Sequence, residues 1–198
     1  ISFIHAVPGA GKNYCYSHNV TIRDCEFIDD NNKSVALRQN IGGCVNFLME
    51  NCIGDGLHSA VQVKNIEESF IIRNCKFTNL TEGINLNSSS LTMSGTEVAS
   101  ASYGVRIGQG SVTPEAAQKI NLTNNIIKSS ATSKDGAIFI RNGAEAANIS
   151  ISENVINGAF ADIVSTMTAV DPAFSVTADK NYWGGSTPAV EGMTVEVE

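Results

Sequence analysis

Long apolar runs are missing from this sequence. No stretch of about 18 apolar residues occurs, so no segment is expected to cross a membrane as a helix. Basic residues are also few, since 13 Lys and Arg stand against 20 Asp and Glu, for a net charge of −7. That balance excludes a general nucleic-acid binder, which needs a basic face to displace counterions from phosphate. No segment keeps apolar residues at i, i+3, i+4 and i+7 over three turns, which argues against helical repeats.

The five cysteines are an odd set, whereas a secreted disulfide framework is usually even and belongs to a shorter chain. Cys15 and Cys44 fall in loops about one repeat apart. Two interpretations stay open for them: a disulfide, or two unrelated loop thiols. Cys25, Cys52 and Cys75 share one position of the repeat described next, and there we expect them to pack as small apolar side chains.

What the sequence does contain is one pattern, VTIRDCEF in residues 20–27, that is rewritten six more times downstream. Each copy begins with alternating apolar residues, passes a small or polar pair and ends on another apolar residue. One position in it, which we call the anchor, recurs at intervals of 21 to 29 residues. The anchors are Cys25, Cys52, Cys75, Thr96, Asn125, Asn154 and Asn181. A period in the twenties indicates a solenoid, whose coils bury a core only by stacking on one another.

A second strand follows each anchor strand after a turn, and its pattern is small, apolar, polar, apolar. The second strands are predicted at 35–37, 60–63, 83–86, 104–107, 137–140 and 162–164. Alternation turns one set of side chains inward: Val61, Val63, Ile84, Leu86, Val105, Ile107, Ile138, Ile140 and Ile163. It turns another set outward: Gln62, Asn85, Arg106, Phe139 and Val164.

The anchor row predicts a ladder of side chains, because the chain turns there and the same residue type repeats directly above itself. Asn125, Asn154 and Asn181 are expected to pass amide hydrogen bonds along the stack while they satisfy turn backbone groups. Together these patterns predict an all-β, single-stranded parallel β-helix, a solenoid of about seven coils. Residues 1–198 are expected to form one domain, a monomer, and part of a longer chain.

At this point the sequence resembles the right-handed parallel β-helix proteins of the pectin-lyase-like superfamily. The resemblance is carried by the Asn-x-apolar turns at 125–127 and 154–156, the strands EGINL (82–86) and YGVRI (103–107), and the closing KNYWGG (180–185). That ending is similar to the one found where β-helix domains of bacterial surface and secreted proteins finish. The resemblance implies a right-handed coil and an extracellular or cell-surface location. It does not imply one activity, because the superfamily includes lyases, hydrolases, esterases, epimerases, adhesins and inert stalks.

None of the catalytic motifs of that superfamily is intact in this chain. Arg106-Ile107-Gly108 lacks the Lys of the polygalacturonase-like Arg-Ile-Lys, and no calcium cluster surrounds Arg106 as a pectate-lyase-like site would need. Three catalytic candidates remain. Arg106 is one by resemblance to a lyase base; Asp55 and His58 are the others, because Gly54 and Gly56 place Asp55 on a tight turn and His58 titrates near neutrality. The alternative is a turn aspartate followed by a histidine at a strand edge.

Two further groups are candidates for ligand binding. Asp29, Asp30, Asn31 and Asn32 could hold calcium through oxygen atoms, and no other cofactor is indicated; a solvated turn is the alternative. Basic residues also recur where the second strands end. This predicted basic stripe contains Arg38, Lys64 and Arg141, with Arg106 on the adjacent outward row. Such a stripe could bind acidic sugars by charge-assisted hydrogen bonds, or it could be the solvated ends of strands.

Two functions from different classes therefore follow from the sequence. The first is a non-catalytic extracellular module that presents a flat surface for a polysaccharide, a cell-surface glycan or another surface partner; the missing catalytic motifs favour it. The second is a polysaccharide lyase or glycoside hydrolase that acts on acidic polysaccharide, and it rests on the resemblance alone.

Overall fold

The computed structural model describes residues 2–4, 17–41, 44–64, 66, 69–108, 118–144, 147–168, 174–185 and 187–197. Every regular element in these ranges is a β-strand, and no helix occurs in them. It follows that this part of the chain contains no apolar helix of membrane-spanning length. The prediction of an all-β chain is confirmed.

Short strands follow one another along the chain, separated by turns. In chain order they are β1 (Ser2–Ile4), β2 (Ser17–Arg23), β3 (Glu26–Ile28), β4 (Val35–Ile41), β5 (Cys44–Glu50), β6 (Ile53–Asp55), β7 (Ser59–Lys64), β8 (Phe70–Arg73), β9 (Lys76–Leu80), β10 (Glu82–Asn87), β11 (Leu91–Ser94), β12 (Glu97–Ser100), β13 (Val105–Ile107), β14 (Lys119–Thr123), β15 (Ile126–Ser129), β16 (Ile138–Ile140), β17 (Asn148–Ser152), β18 (Val155–Gly158), β19 (Ile163–Ser165), β20 (Ser175–Asp179), β21 (Val190–Glu191) and β22 (Glu196–Val197).

These strands form three parallel sheets, and from β1 to β20 each sheet takes every third strand of the chain. Sheet A contains β1, β4, β7, β10, β13, β16, β19 and β21. Sheet B contains β2, β5, β8, β11, β14, β17, β20 and β22. Sheet C contains β3, β6, β9, β12, β15 and β18. The chain therefore passes from sheet B to sheet C to sheet A in each coil, which confirms the parallel β-solenoid.

Six consecutive coils, from β2–β4 to β17–β19, have a strand in all three sheets. The next coil has β20 in sheet B and β21 in sheet A, and between them Tyr182 makes only an isolated bridge to Val155. The number of complete coils in the described residues is thus slightly smaller than the seven predicted. The right-handed sense of the coil stays a prediction.

The core is the space between the three sheets, and the predicted inward side chains fill it. Val61, Ile84, Val105, Ile138 and Ile163 have no exposed surface. The second strands form where predicted, as the strands of sheet A, although β4 runs to Ile41 and so past its predicted end at residue 37. Burial of these aliphatic side chains is the main stabilising term, because no single coil can cover its own apolar side.

The outward row of sheet A is more buried than alternation alone predicts. Gln62 and Arg106 are half-buried, but Asn85, Phe139 and Val164 are buried. The reason is a second apolar cluster outside the main core, in which Tyr103, Phe139, Ala161 and Val164 pack together. These side chains do face away from the main core, and they cover one another.

Each anchor is preceded by a residue in the left-handed backbone region, which makes the sharp turn from sheet B to sheet C. The φ angles of these residues lie between 50° and 57° at Asp24, Asn51, Asn74, Gly95, Asn124, Glu153 and Lys180. Gly, Asn and Asp adopt this conformation at low cost, whereas other L-residues are strained there. Five of the coils follow that preference, and the coils with Glu153 and Lys180 do not.

The anchor row forms the predicted ladder, and it extends beyond the asparagines. The backbone N–H of Asn125 donates to Asn154 Oδ1 at 2.8 Å, and that of Asn154 donates to Asn181 Oδ1 at 3.0 Å. In the earlier coils Thr96 and Cys75 take the same acceptor role. The N–H of Thr96 donates to Asn125 Oδ1, that of Cys75 to Thr96 Oγ1, and that of Cys52 to Cys75 Sγ. The backbone N–H of each of these anchors is therefore hydrogen-bonded to the anchor side chain of the next coil.

Cys25, Cys52 and Cys75 are free thiols, and the latter two are buried in the core as predicted. Burial raises the pKa of Cys52, and it raises the pKa of Cys75 to about 12. Both groups are therefore neutral and unreactive at physiological pH. The open question of a bridge between Cys15 and Cys44 lies outside the described residues.

We expect Asn154→Ala to lower the free energy of unfolding by about 3 kcal/mol, because it leaves buried backbone groups without partners. The Asn154 side chain accepts from the Asn125 N–H and donates to Leu122 O at 2.8 Å. Urea titration measures the change. Asn154→Thr should cost less, because Thr96 fills the same role in its own coil. Asn121→Ala, at an exposed position on sheet B, is the control; equal losses in Asn121→Ala and Asn154→Ala would contradict the ladder.

We expect Glu153→Asn to raise the free energy of unfolding by about 0.5–1 kcal/mol, because asparagine adopts the left-handed backbone conformation of this position with less strain than glutamate does. Glu153 is exposed and has a φ of 57°. The reverse change, Asn124→Glu, should lower stability by a similar amount. Thermal and urea unfolding of both variants measure the effect. A loss of stability in Glu153→Asn would show that the Glu153 side chain makes a larger contribution than its backbone strain.

Candidate functional site

The outer face of sheet A carries most of the residues predicted to act on a ligand. Strand pairing places Gln62 beside Asn85, Asn85 beside Arg106, and Arg106 beside Phe139. These residues form one row that runs across the coils. A second outward row lies two residues further along each strand and begins with Lys64, which pairs with Asn87.

The predicted basic stripe is a pair of rows, because the register of β4 differs from the predicted alignment. Arg38 pairs with Gln62, and so it lies in the row of Arg106 and not in the row of Lys64. Arg141 follows Ile140, and its N–H donates to Ile107 O. The physical reason is that β4 continues beyond Arg38, so that residue is inside the strand and not at its end. We call Arg38, Lys64, Arg106 and Arg141 the cationic face.

Two of these cations are held over aromatic rings of the second apolar cluster. The Cζ of Arg106 lies 4.6 Å from the centroid of the Tyr103 ring, and its Nε donates to Asn85 Oδ1 at 3.1 Å. The Cζ of Arg141 lies 5.7 Å from the centroid of the Phe139 ring. The two rings contact each other, with their centroids 6.3 Å apart. Cation–π contacts of this kind orient a guanidinium before any ligand arrives.

Ion pairs distinguish the cationic face from the other two sheets. On sheet B, Arg73 Nε donates to Glu50 Oε1 at 2.7 Å. On sheet C, the ammonium groups of Lys76 and Lys128 lie 3.8 and 4.0 Å from the carboxylate of Glu97. No member of the cationic face forms an ion pair with any residue that the structure describes. Among the described residues, no carboxylate therefore neutralises these four charges.

An acid–base cluster lies beside Arg106, at the corner where each coil enters sheet A. The Tyr103 hydroxyl donates to Glu82 Oε2 at 2.5 Å, and His58 Nε2 lies 3.9 Å from the same oxygen. Burial, followed by the hydrogen bond to Glu82, raises the pKa of Tyr103 far above its ordinary value. Tyr103 is therefore protonated at every physiological pH, and its role is to hold the Glu82 carboxylate in place.

Sequence analysis did not single out Glu82 and Tyr103 as functional residues. Their equivalent positions in the repeat could have indicated that they are neighbours, since each immediately precedes the glycine of a matching strand, EGINL and YGVRI. A further acidic residue, Asp135, accepts a hydrogen bond from Ser102 Oγ at 2.5 Å in the turn region of the neighbouring coils. Glu82 and Asp135 thus each accept a hydrogen bond from a hydroxyl group, and the two donors, Tyr103 and Ser102, are adjacent in the chain.

The structure does not bring Asp55 and His58 together. Asp55 Oδ1 accepts from Thr78 Oγ1 at 2.8 Å and from Asn79 Nδ2 at 2.7 Å, on sheet C. His58 lies past the turn, next to Glu82 of sheet A. The left-handed Gly56 between them directs the chain from one sheet to the other. Of the two interpretations of this segment, the geometry favours the turn aspartate and the strand-edge histidine.

The candidate calcium segment forms a turn capped by its first aspartate. Asp29 Oδ1 accepts from the N–H of Asn31, and Oδ2 accepts from the N–H groups of Lys33 and Ser34, at 2.7 to 2.9 Å. These backbone hydrogen bonds hold the pKa of Asp29 well below its usual range. Among the described residues, no three His, Cys, Asp or Glu side chains are grouped closely enough to hold a metal ion. Calcium binding at this turn stays a prediction.

Comparison of the chain with family models, with curated proteins and with solved structures gave no match.

Stability should fall as the pH rises above about 10, where tyrosine in an unfolded chain loses its proton. Below that value the Tyr103 phenol is protonated in both states. Above it the unfolded chain releases the proton and the folded chain keeps it, because the folded pKa is raised. We expect the free energy of unfolding of Tyr103→Phe to decline less steeply with pH in this range, as measured by urea titration at a series of pH values.

A matched variant separates the two causes of the raised pKa. Glu82→Gln leaves an acceptor for the Tyr103 hydroxyl and removes its charge. Because burial is the larger cause, most of the pH dependence should remain in Glu82→Gln and be lost only in Tyr103→Phe. Identical slopes in wild type and Tyr103→Phe would contradict the assignment.

Proposed function

We propose that this chain is a non-catalytic extracellular module that binds acidic polysaccharide through the cationic face of sheet A. One observation carries the proposal. Four cations without ion-pair partners among the described residues lie on one face of a chain whose net charge is −7. On sheets B and C the cations are paired with carboxylates, whereas these four are not paired with any described residue. A group of such cations on an acidic protein favours an anionic ligand.

The spacing of the cations fits a polymer better than a small anion. Arg38 and Arg106 lie in one row, separated by the strands that carry Gln62 and Asn85, so they are about 14 Å apart at the usual strand spacing. A chain of sugar carboxylates laid across the coils would meet both guanidinium groups. The side-chain amides between them supply the donors and acceptors that sugar hydroxyls need.

Arg106 is the residue best prepared for a carboxylate. The Tyr103 ring supports one side of its guanidinium, and Asn85 Oδ1 takes its Nε–H. The terminal nitrogen atoms are then oriented as a fork, which matches the two oxygens of a carboxylate. Less side-chain entropy is lost on binding from such a pre-oriented group than from a mobile one.

We also propose a family and a source for the module. The Asn-x-apolar turns and the KNYWGG ending favour a pectin-lyase-like domain of a bacterial secreted or surface protein. We expect it to act as a monomer whose partner is a polysaccharide or a cell-surface glycan, and to bind no nucleic acid. Retention of the ligand needs no cofactor, because the cations themselves supply the attraction.

A second function is favoured by a different observation. Glu82 Oε2 and His58 Nε2 lie 3.9 Å apart at the partly exposed corner beside Arg106. A carboxylate and an imidazole at that distance could serve as acid and base in a polysaccharide lyase or glycoside hydrolase acting on an acidic polymer bound to the same face. Tyr103 is unsuited to be the base, because its pKa is raised and not lowered.

The proposal predicts that the protein is retained on immobilised polygalacturonate and that Arg106→Ala weakens retention about ten- to a hundredfold, the effect of losing one charge-assisted hydrogen bond of about 1.5–3 kcal/mol. Arg106→Lys should fall in between, since it keeps the charge and loses the fork. Affinity electrophoresis at several salt concentrations measures the change. Arg73→Ala removes a cation of sheet B that is already paired with Glu50, and it should leave retention near the wild-type value.

Two results decide between the functions. If polygalacturonate is retained without new reducing ends or unsaturated products, the binding module stands. If products form and disappear in Glu82→Gln, the enzyme replaces it. Equal retention of wild type, Arg106→Ala and a quadruple variant that lacks the whole cationic face would refute the proposed surface.

A further inference from the structure

A groove of about 640 Å³ lies on the side of the solenoid where the strands of sheet C end and each coil turns toward sheet A. Its lining comes from several coils and includes Asn79, Thr81, Lys128, Ser130 and Asn157. The volume is within the range of about 300–1,000 Å³ that small-molecule sites occupy. None of the residues of the cationic face lines it.

The groove has small side chains in its lining and a turn at one side. Ala99, Ala101 and Ala159 are among the lining residues, and longer side chains at these positions would fill the space. The side is formed by Asn32, which lies in the turn that Asp29 caps. With its side-chain amide oriented to donate, Asn32 hydrogen-bonds to the carbonyl groups of Asn79 and Gly56, at 3.2 and 2.9 Å. Hydrogen bonds between coils therefore fix the shape of this side of the groove.

The polar groups of the groove balance to near-neutral charge. Lys128 is the one charged residue in its lining, and its ammonium group lies 4.0 Å from the carboxylate of Glu97. The rest of the polar lining consists of amides and hydroxyls, which can both donate to and accept from the hydroxyls of a sugar. Charge complementarity therefore favours an uncharged, hydroxyl-rich ligand over an acidic or a basic one.

An apolar strip adjoins the groove on the outer face of sheet C. Ile126, Val155 and Tyr182 face each other in successive coils, and they are 37%, 37% and 61% exposed. The strip lies two residues before Lys128 and Asn157 in the same strands. Aliphatic and aromatic surfaces beside a polar groove suit a pyranose, which has apolar C–H faces and a polar rim.

We propose that the groove and the apolar strip together bind a neutral oligosaccharide segment, with the hydroxyls in the groove and a sugar face on Tyr182. This is a second glycan site, separate from the cationic face and independent of it. A glycan that carries acidic and neutral stretches could then contact two sides of one solenoid.

The test is isothermal titration calorimetry of the whole chain with four neutral probes: linear oligomers of glucose in α and in β linkage, of xylose, and of mannose. At least one probe should bind. Ala99→Trp places a large side chain in the lining of the groove, and Tyr182→Ala removes the aromatic surface; each should weaken binding of that probe about tenfold or more. Thermal unfolding verifies that both variants remain folded, and Thr92→Ala on sheet B is the matched surface control.

Independence from the cationic face is tested with Arg106→Ala, which should bind the neutral probe as wild type does. The proposal is overturned if no probe binds wild type at millimolar concentration, if Ala99→Trp and Tyr182→Ala both bind normally, or if Arg106→Ala abolishes binding. If the folded Ala99→Trp variant is still retained on polygalacturonate, loss of binding to the neutral probe is separate from any change in the cationic face.

Discussion

Hydrogen bonds between the side chain of one coil and the turn of the coil before it hold this solenoid in register. A turn between two parallel sheets leaves backbone N–H groups pointing along the axis, and in the core they cannot reach water. From Cys52 to Asn154, five consecutive anchors donate that N–H to the anchor side chain of the following coil. Thiol, hydroxyl and amide serve in turn as the acceptor. Each anchor position therefore requires a hydrogen-bond acceptor at a fixed place, and cysteine, threonine and asparagine side chains all supply one.

Fixed register is also what creates the surfaces. When every coil is aligned with the next, residues far apart in sequence become neighbours at strand spacing, and the outer faces can diverge while the core stays uniform. Sheet A has two arginines over aromatic rings, sheet B has Arg73 bound to Glu50, and the edge of sheet C has a neutral groove. One repeating interior thus supports surfaces of different charge.

Much of the fold could be predicted from the sequence, because core and anchors repeat at short range. Alternation identified Ile84 and Val105 as buried, and stacked asparagines identified the ladder. The surfaces depend on contacts between coils, which no local pattern specifies. Arg38 lies in a different row from the one predicted because β4 extends further. The contact between Glu82 and Tyr103 spans 21 residues and depends on side-chain direction, and the groove depends on the path of the turns.

The ladder also has a direction, and that direction has a consequence for biogenesis. Each anchor N–H donates to a side chain of the coil nearer the C-terminus, so the anchor N–H of a newly synthesised coil has no acceptor yet. The bond closes when the following coil arrives. In a chain made from its N-terminus, each hydrogen bond of the ladder can therefore form only after the following anchor has been synthesised.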